Sequence, residues 1–329
     1  MDRRADAGTD AGMDMGIHVI GAGAIGKLLA ARLALSGESR HLVLVTRRPA
    51  QADLINAGGI SLTEPDGTRT MRIRAVSWDE YAAGGGGPPA DAVMLAVKQR
   101  HLDGGLLVAA ARRLKPDGIA VAWMNGIGHE RAMAAAFGAS RAALAVTTEG
   151  ARNIGDAAVE HAGRGETKLG FPAGGGERAM RRLKNVGCRL RKAGFHVDLS
   201  NDIRQEAWNK LVINAVINPL TAIHGIENGD LLASPFLRNA MRILYLEAVA
   251  VAAKEGAVPD DALWDRLVDV CRRTARNRSS MLQDLAAGRR TEIDWINGSL
   301  IRAAVRHGVP VPGHRAVYDA VRGMENARA

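Results

Sequence analysis

Residues 17–37 read IHVIGAGAIGKLLAARLALSG, and the order of that stretch decides the class of fold. The apolar run Ile17–Ile20 reads as a strand, and Gly21, Gly23 and Gly26 follow it at once in a GxGxxG spacing. The residues after them carry apolar side chains at helical period. Strand, glycine turn and helix in that order make a dinucleotide-binding turn. The first glycine permits the turn, the second lets the backbone approach a pyrophosphate, and the third lets the helix sit close to the strand. The helix N-terminus then aims its N–H groups at the anion. Gly21, Ala22, Gly23, Ala24, Ile25 and Gly26 are therefore expected to hold cofactor phosphates. At the end of the next strand, Leu42–Val45, the chain reads VTRRP, where an NAD-preferring protein places an acid against the ribose 2′-hydroxyl. Thr46, Arg47 and Arg48 supply two guanidiniums and no carboxylate, which favours NADP(H), with Arg47 as the expected contact; the alternative is a solvated surface pair.

Outward from this turn, apolar runs at Ala92–Val97, Ile119–Trp123 and Ala143–Val146 alternate with helix-forming stretches such as LDGGLLVAAARRL and GHERAMAAAF, the rhythm of a parallel α/β sheet. Shorter strands near Val159–His161, Thr167–Leu169 and His196–Val197, with a helix at Glu177–Ala193, are expected to complete that sheet. From Ile203 onward the period is helical, with helices expected over Ile203–Asn218, Pro235–Glu255, Asp260–Ala286 and Thr291–His307 and no sustained heptad. The organisation read from sequence is a leader at 1–15, a Rossmann-type domain at 16–200 and an all-α domain at 201–329, with a cleft between the two domains. The leader, MDRRADAGTDAGMDM, lacks an apolar core and is expected to be disordered, with Met13 and Met15 as alternative starts.

Composition narrows the function. Of the 329 residues, 47% are hydrophobic and 24% charged, which suits a soluble globular protein, and no run has the length and apolarity of a membrane span. Cys188 and Cys271 lie far apart without metal-ligand spacing, so neither a zinc site nor a disulfide framework is indicated and a cytoplasmic setting fits. The formal charge is +9, but the arginines are spread from Arg3 to Arg328 and only four phenylalanines and three tyrosines are present for base stacking. Specific nucleic-acid binding is therefore not expected, and an anionic substrate and cofactor explain part of the excess.

The segment Trp208–Pro219, WNKLVINAVINP, sets Lys210, Asn214 and Asn218 four residues apart on one face of an otherwise apolar helix. A buried helix with such a stripe either satisfies it internally or lines a cavity, and lysine is rarely buried without a task. Lys98 follows the strand DAVMLAV and Asn125 follows IAVAWM, both outside the carboxyl ends of strands, where open α/β sheets bind ligands. Taken alone, Lys98 reads better as a solvated lysine, and Asn125-Gly126 reads equally as a turn. Farther on, Glu292 is either a helix-capping acid or a site residue, Ser279 and Ser280 are either surface hydroxyls or ligands, and Asn228 in ENGD reads first as a turn.

Taken together, these residues resemble the ketopantoate reductase family, whose members reduce 2-dehydropantoate to pantoate with NADPH on the route to coenzyme A. The resemblance runs from Gly16 to about Arg322 through GAGAIG, the VK at Lys98, the NG at Asn125, TTEGAR near Thr147, WNKLVINAVINPLTAI, and SSMLQDLAAGRRTEIDWINGSL with its continuation. It implies Lys210 as the catalytic lysine and Glu292 as its acidic partner. It further implies Asn125, Asn214, Asn218, Asn228 and Ser280 as substrate contacts, and Lys98 and Asn125 as cofactor contacts. Where the family carries a histidine in a TTHAA-like segment, this chain has Glu149. The chemistry agrees: a protonated amine near a ketone oxygen stabilises developing charge and supplies a proton, and no metal is required. Two other readings stay open, a reductase of another small branched 2-oxo acid and a non-catalytic NADP-binding regulator. The apolar helices after Pro235 offer surface for a homodimer.

Overall fold

The computed structural model describes residues 15–38, 40–259 and 261–327. The expected leader lies outside the described residues except at its last position, and there the expectation is corrected: Met15 is buried in the core beneath the first strand.

The strands in chain order are β1 (Ile17–Ile20), β2 (Leu42–Thr46), β3 (Ile60–Glu64), β4 (Gly67–Met71), β5 (Arg74–Ser77), β6 (Ala90–Leu95), β7 (Leu114–Ala122), β8 (Ala142–Thr147), β9 (Gly150–Gly155), β10 (Ala158–Gly163), β11 (Glu166–Gly170) and β12 (His196–Leu199). Eight of them form one sheet in the order β12-β11-β8-β7-β6-β1-β2-β5, parallel except at the β11–β8 pairing. The apolar runs exist because this sheet is covered on both faces. Ile17, Val19, Leu44 and Met94 enter one core with the helices Ala24–Leu35 and Glu177–Lys192. Ile20, Val45, Val93 and Leu95 enter the opposite core with Gly104–Arg112 and Glu130–Phe137. From the central β1 the chain crosses to β2 on one side and to β6 on the other, which opens a crevice at the carboxyl ends of these strands.

The expectation for Val159–His161 is corrected. β10 does not join the main sheet; it pairs with β3 and β9 in a separate four-stranded sheet, β4-β3-β10-β9, laid against the helix Ala24–Leu35. That arrangement is fixed by polar groups buried under it. Lys27, fully buried, donates from Nζ to the carbonyls of Gly155 and Ala158, and Arg32 reaches Glu64 and His161. The unexplained Glu149 belongs here too, with its carboxylate 2.6 Å from His161 Nε2.

From Trp208 onward the apolar side chains form a third core, which also takes in Ile127 from the first half of the chain. Its main helices are Ile203–His224, Pro235–Lys254, Leu263–Arg273, Ser280–Ala286, Asn297–His307 and Pro312–Asn326. Three expected bounds are corrected. The helix at Ile203 continues past Asn218 to His224 in spite of Pro219. Proline lacks the N–H that would bond the carbonyl of Ala215, and the buried Asn297 donates to that oxygen instead at 2.9 Å. The expected Asp260–Ala286 helix breaks after Arg273 and restarts at Ser280, because Ser279 caps the second piece by accepting from Leu282 N. Residues from Thr291 to Ile296 form turns, with Thr291 N and Oγ1 both donating to Glu325, and the helix begins only at Asn297. Among the described residues no helix is long and apolar enough to cross a membrane.

Two of the buried histidines, His314 and His18, are expected to make the fold acid-sensitive. Burial holds His314 down to about 4, with Nδ1 facing Asn297 and Nε2 facing the Leu244 carbonyl. Burial, helped by Arg113 and Arg74, also holds His18 down to about 4 beside Tyr81. Both rings are neutral in the folded chain but take up protons near pH 6.5 when unfolded. Their stabilisation is therefore present above about 6.5 and lost as pH falls toward 4, on the order of 3 kcal/mol for each. Urea unfolding at pH 7, 5.5 and 4.5 is expected to show a steady fall in midpoint, and the fall should shrink in His314→Gln.

Candidate active site

The glycine turn follows β1, and its geometry excludes a side chain at Gly21 and Gly26. Gly21 has φ +108° and donates to the Val45 carbonyl; a Cβ there would stand 2.7 Å from the Ala96 oxygen. A Cβ on Gly26 would lie 1.8 Å from the Gly21 oxygen. Gly23 is different: it is exposed and a Cβ would meet nothing within 4 Å, so only an approaching ligand gives that position a reason to lack a side chain. The helix that begins at Ala24 has no side-chain cap and no acid in its first turn, which leaves its N-terminus to an outside anion. Ala22, Ala24 and Ile25 line the same turn, half-buried. The chain thus fits a dinucleotide pyrophosphate. At the end of β2, Thr46 is buried and donates to the Arg48 carbonyl, and Arg48 is ion-paired with Asp156. Arg47 is exposed with no side-chain hydrogen bond or ion pair among the described residues. Its charge reaches His101 after β6, whose pKa is lowered by burial and by Arg100, Arg47 and Lys98.

Lys210, Asn125 and Glu292 come from three elements and meet in one chain of hydrogen bonds. Lys210 Nζ donates to Asn125 Oδ1 at 2.8 Å, and Asn125 Nδ2 donates to Glu292 Oε2 at 3.0 Å. An ammonium can only donate and a carboxylate only accept, so the orientation of the amide is dictated by its neighbours. Burial brings Lys210 down to about 8, and the Glu292 charge works against that shift. The amine stands beside a small cavity lined by Met124, Asn125, His129, Val146 and Leu211. Glu292 is presented from a turn, not from the expected helix start.

Asn214 and Asn218 continue the stripe from Lys210 along the helix, about 12 Å in two turns at 1.5 Å per residue. Neither amide side chain has an intramolecular partner among the described residues. Ser280 is exposed at the first position of its helix, whereas Ser279 is buried, capping the helix and accepting from Thr221 at 2.7 Å. Two further expected site residues have partners within the chain. Lys98 bridges the domains by an ion pair with Asp284 at 2.6 Å, and Asp284 also holds Arg289. Asn228 lies in the turn after the long helix and donates to Thr274 at 2.9 Å, while its Oδ1 is buried without a partner among the described residues. Sequence reasoning passed over Gln99, His129, Asp284 and Trp295. For the first two a signal existed, since Gln99 directly follows Lys98 and His129 lies in the loop that carries Asn125.

Gly126 holds Asn125 in place. With φ +83° its α-carbon faces the second domain, and a Cβ would stand 2.1 Å from the Trp295 carbonyl. Ser299 secures that contact by donating to Trp295 O at 2.7 Å. Gly126→Ala combines an unfavourable backbone angle with a clash against backbone, so it is expected to destabilise the chain by about 2–4 kcal/mol in urea. Unchanged stability would show that the domains do not need this approach.

The chain is similar to known proteins along nearly its whole length. The family described as "Ketopantoate reductase PanE/ApbA" matches residues 17–174, and its C-terminal counterpart matches residues 202–325. A 2-dehydropantoate 2-reductase of Archaeoglobus fulgidus is 31% identical over 94% of this chain and 98% of its own, and one of Bacillus subtilis is 30% identical over the same shares. A crystal structure of a PanE/ApbA family ketopantoate reductase from Ralstonia eutropha superposes with a TM-score of 0.84 at 27% identity, covering 95% of this chain and 99% of that one. D-mandelate dehydrogenase with NADH and anilino(oxo)acetate shares the fold at a TM-score of 0.85 and 23% identity, covering 95% of this chain and 99% of that one. With both halves matched and relatives aligned over nearly their full length, this chain belongs to the ketopantoate reductase family.

Proposed function

We propose that this chain reduces 2-dehydropantoate to (R)-pantoate with NADPH, in the biosynthesis of pantothenate and coenzyme A. The observation that carries the reading is the Lys210–Asn125–Glu292 chain, with Asn125 just beyond β7 in the same sheet whose β1 runs into the glycine turn. NADPH, when bound, supplies the hydride for the keto carbon. Gly21 to Gly26 would hold its pyrophosphate, and Arg47 its 2′-phosphate. Lys98 and Asn125 would lie along the rest of the cofactor.

Lys210 is assigned the proton. Reduction leaves negative charge on the substrate oxygen; the ammonium offsets that charge as it develops and then transfers a proton to the oxygen. Lowering the amine's pKa to about 8 eases that transfer while leaving most of the group protonated near neutral pH. Glu292 holds the amide that orients the amine. Asn214, Asn218 and Ser280 offer donors and acceptors to the carboxylate and hydroxyl of the substrate, with Asn228 a further polar group at the far end. The chain is proposed to work in the cytoplasm on this small molecule, without a specific nucleic-acid partner. Phe236, Ile243 and Leu246 are 73%, 46% and 53% exposed on the helix Pro235–Lys254 and suit a homodimer, which light scattering would read directly.

Lys210→Ala is expected to lower kcat with ketopantoate by about 10²–10⁴-fold while changing NADPH affinity little, as followed by loss of NADPH absorbance. The working form is the protonated amine, so kcat/KM should be level below about pH 8 and fall roughly tenfold per unit above it. A profile flat to pH 10 would remove Lys210 from the role. Ketoisovalerate turned over as fast as ketopantoate would favour the rival substrate class. Arg47→Ala is expected to weaken NADPH by about 1.5–3 kcal/mol and leave NADH affinity nearly unchanged; equal losses for both cofactors would count against the 2′-phosphate assignment.

A further inference from the structure

The polar chain through Lys210 does not end at Asn125. Gln99, in the short turn after β6, is buried, with Nε2 at 2.7 Å from the Asn125 carbonyl and 2.9 Å from His129 Nδ1. A carbonyl only accepts, so the NH₂ of the Gln99 amide must face it, and its second N–H is then directed at the histidine ring. His129 Nδ1 is therefore an acceptor and the ring proton resides on Nε2. Burial favours the same neutral ring by lowering the His129 pKa. His129 in turn lines the cavity that Lys210 and Asn125 share. A Cβ at Gly126 would also crowd Gln99 Nε2, at 3.1 Å, so the side chain is wedged against the loop that it holds.

We infer that Gln99 is a positioning residue of the reaction: by gripping both the Asn125 carbonyl and the His129 ring, it fixes the Asn125 amide between Lys210 and Glu292. The inference rests on the assignment of Lys210 as proton donor. Backbone and side chain of Asn125 are held by different partners, and only Gln99 among them belongs to the strand-end region that also carries Lys98. Without its two N–H donors, a buried carbonyl and a ring nitrogen lose their partners and the loop relaxes. The amine of Lys210 then either approaches Glu292 or meets more water, and each change raises its pKa toward that of free lysine.

The test uses Gln99→Met and Gln99→Glu, which keep the side-chain length and remove the NH₂ group, with His129→Leu as a milder variant that removes one anchor. Two readouts are taken on the full chain. The first, in the absence of cofactor and substrate, is the pH dependence of Lys210 acylation by an amine-reactive ester, read by peptide mass spectrometry. The second is kcat and KM for NADPH and ketopantoate. The expected result is a labelling midpoint near 8 in the parent that rises by about half a unit or more in the Gln99 variants. With it, kcat should fall roughly 10–100-fold, against an NADPH Kd changed less than about threefold. Folded variants that keep the parent's midpoint and kcat overturn the inference, even where their melting temperature drops, because that pattern is merely structural. If the parent itself fails to reduce ketopantoate, the proposed substrate fails, whereas the labelling midpoint still decides the role of Gln99.

Discussion

The structure of the site depends on one amide placed between two opposite charges. Asn125 separates the Lys210 ammonium from the Glu292 carboxylate while bonding to both, at 2.8 and 3.0 Å. A direct ion pair at that depth would hold the proton tightly on the amine and oppose its transfer. With the amide interposed, the carboxylate's attraction is weakened by distance and burial prevails, so the lysine sits near 8 and not near 10.5. The same amide turns two long side chains into one fixed array. It also joins the end of β7 to the helix Ile203–His224 and to the turn at Glu292.

The junction of the two halves follows from this. Gly126 allows the loop to touch the Trp295 carbonyl, and Ile127 continues into the core of the helical part. Lys98–Asp284 adds a charged contact nearby. These contacts are short-range and directional, so the site is assembled only when the halves meet in one register. On the proposed assignment of Lys210, proton transfer then depends on the correct assembly of the two halves.

The first half carries its own buried polar groups for a different reason. Lys27 and Arg32 lie on the inner face of the helix that follows the glycine turn, where apolar residues would be expected. Each meets the small sheet: Lys27 the carbonyls at the β9–β10 turn, Arg32 the Glu64–His161–Glu149 group. Charges taken out of water demand specific partners, so they define where that sheet must sit far more narrowly than apolar contact would. The helix N-terminus is thereby held at a fixed angle to the crevice.

Much of this was legible in the linear chain. GAGAIG after an apolar run was readable as a dinucleotide turn, because glycine spacing between a strand and a helix is a local pattern; that a Cβ at Gly21 would meet Ala96 is a contact from the end of a distant strand. The stripe Lys210, Asn214, Asn218 was visible because helical period alone places every fourth residue on one face. The small sheet was not visible: β3 is half polar, β4 almost wholly exposed, and β10 finds its partner in β3 nearly a hundred residues earlier. Nor could spacing reveal that Asn297 donates to the Ala215 carbonyl that Pro219 leaves open, that Ser279 caps a helix while Ser280 stays exposed, or that Glu149 answers His161. By itself, then, the sequence determined most of the local elements, the glycine turn and the identity of the polar stripe, since helical and strand periods act within a few residues. Only the tertiary structure decided that Asn125 stands between Lys210 and Glu292 with Gln99 behind it, because directional hydrogen bonds among buried groups are set by how distant segments are brought into contact.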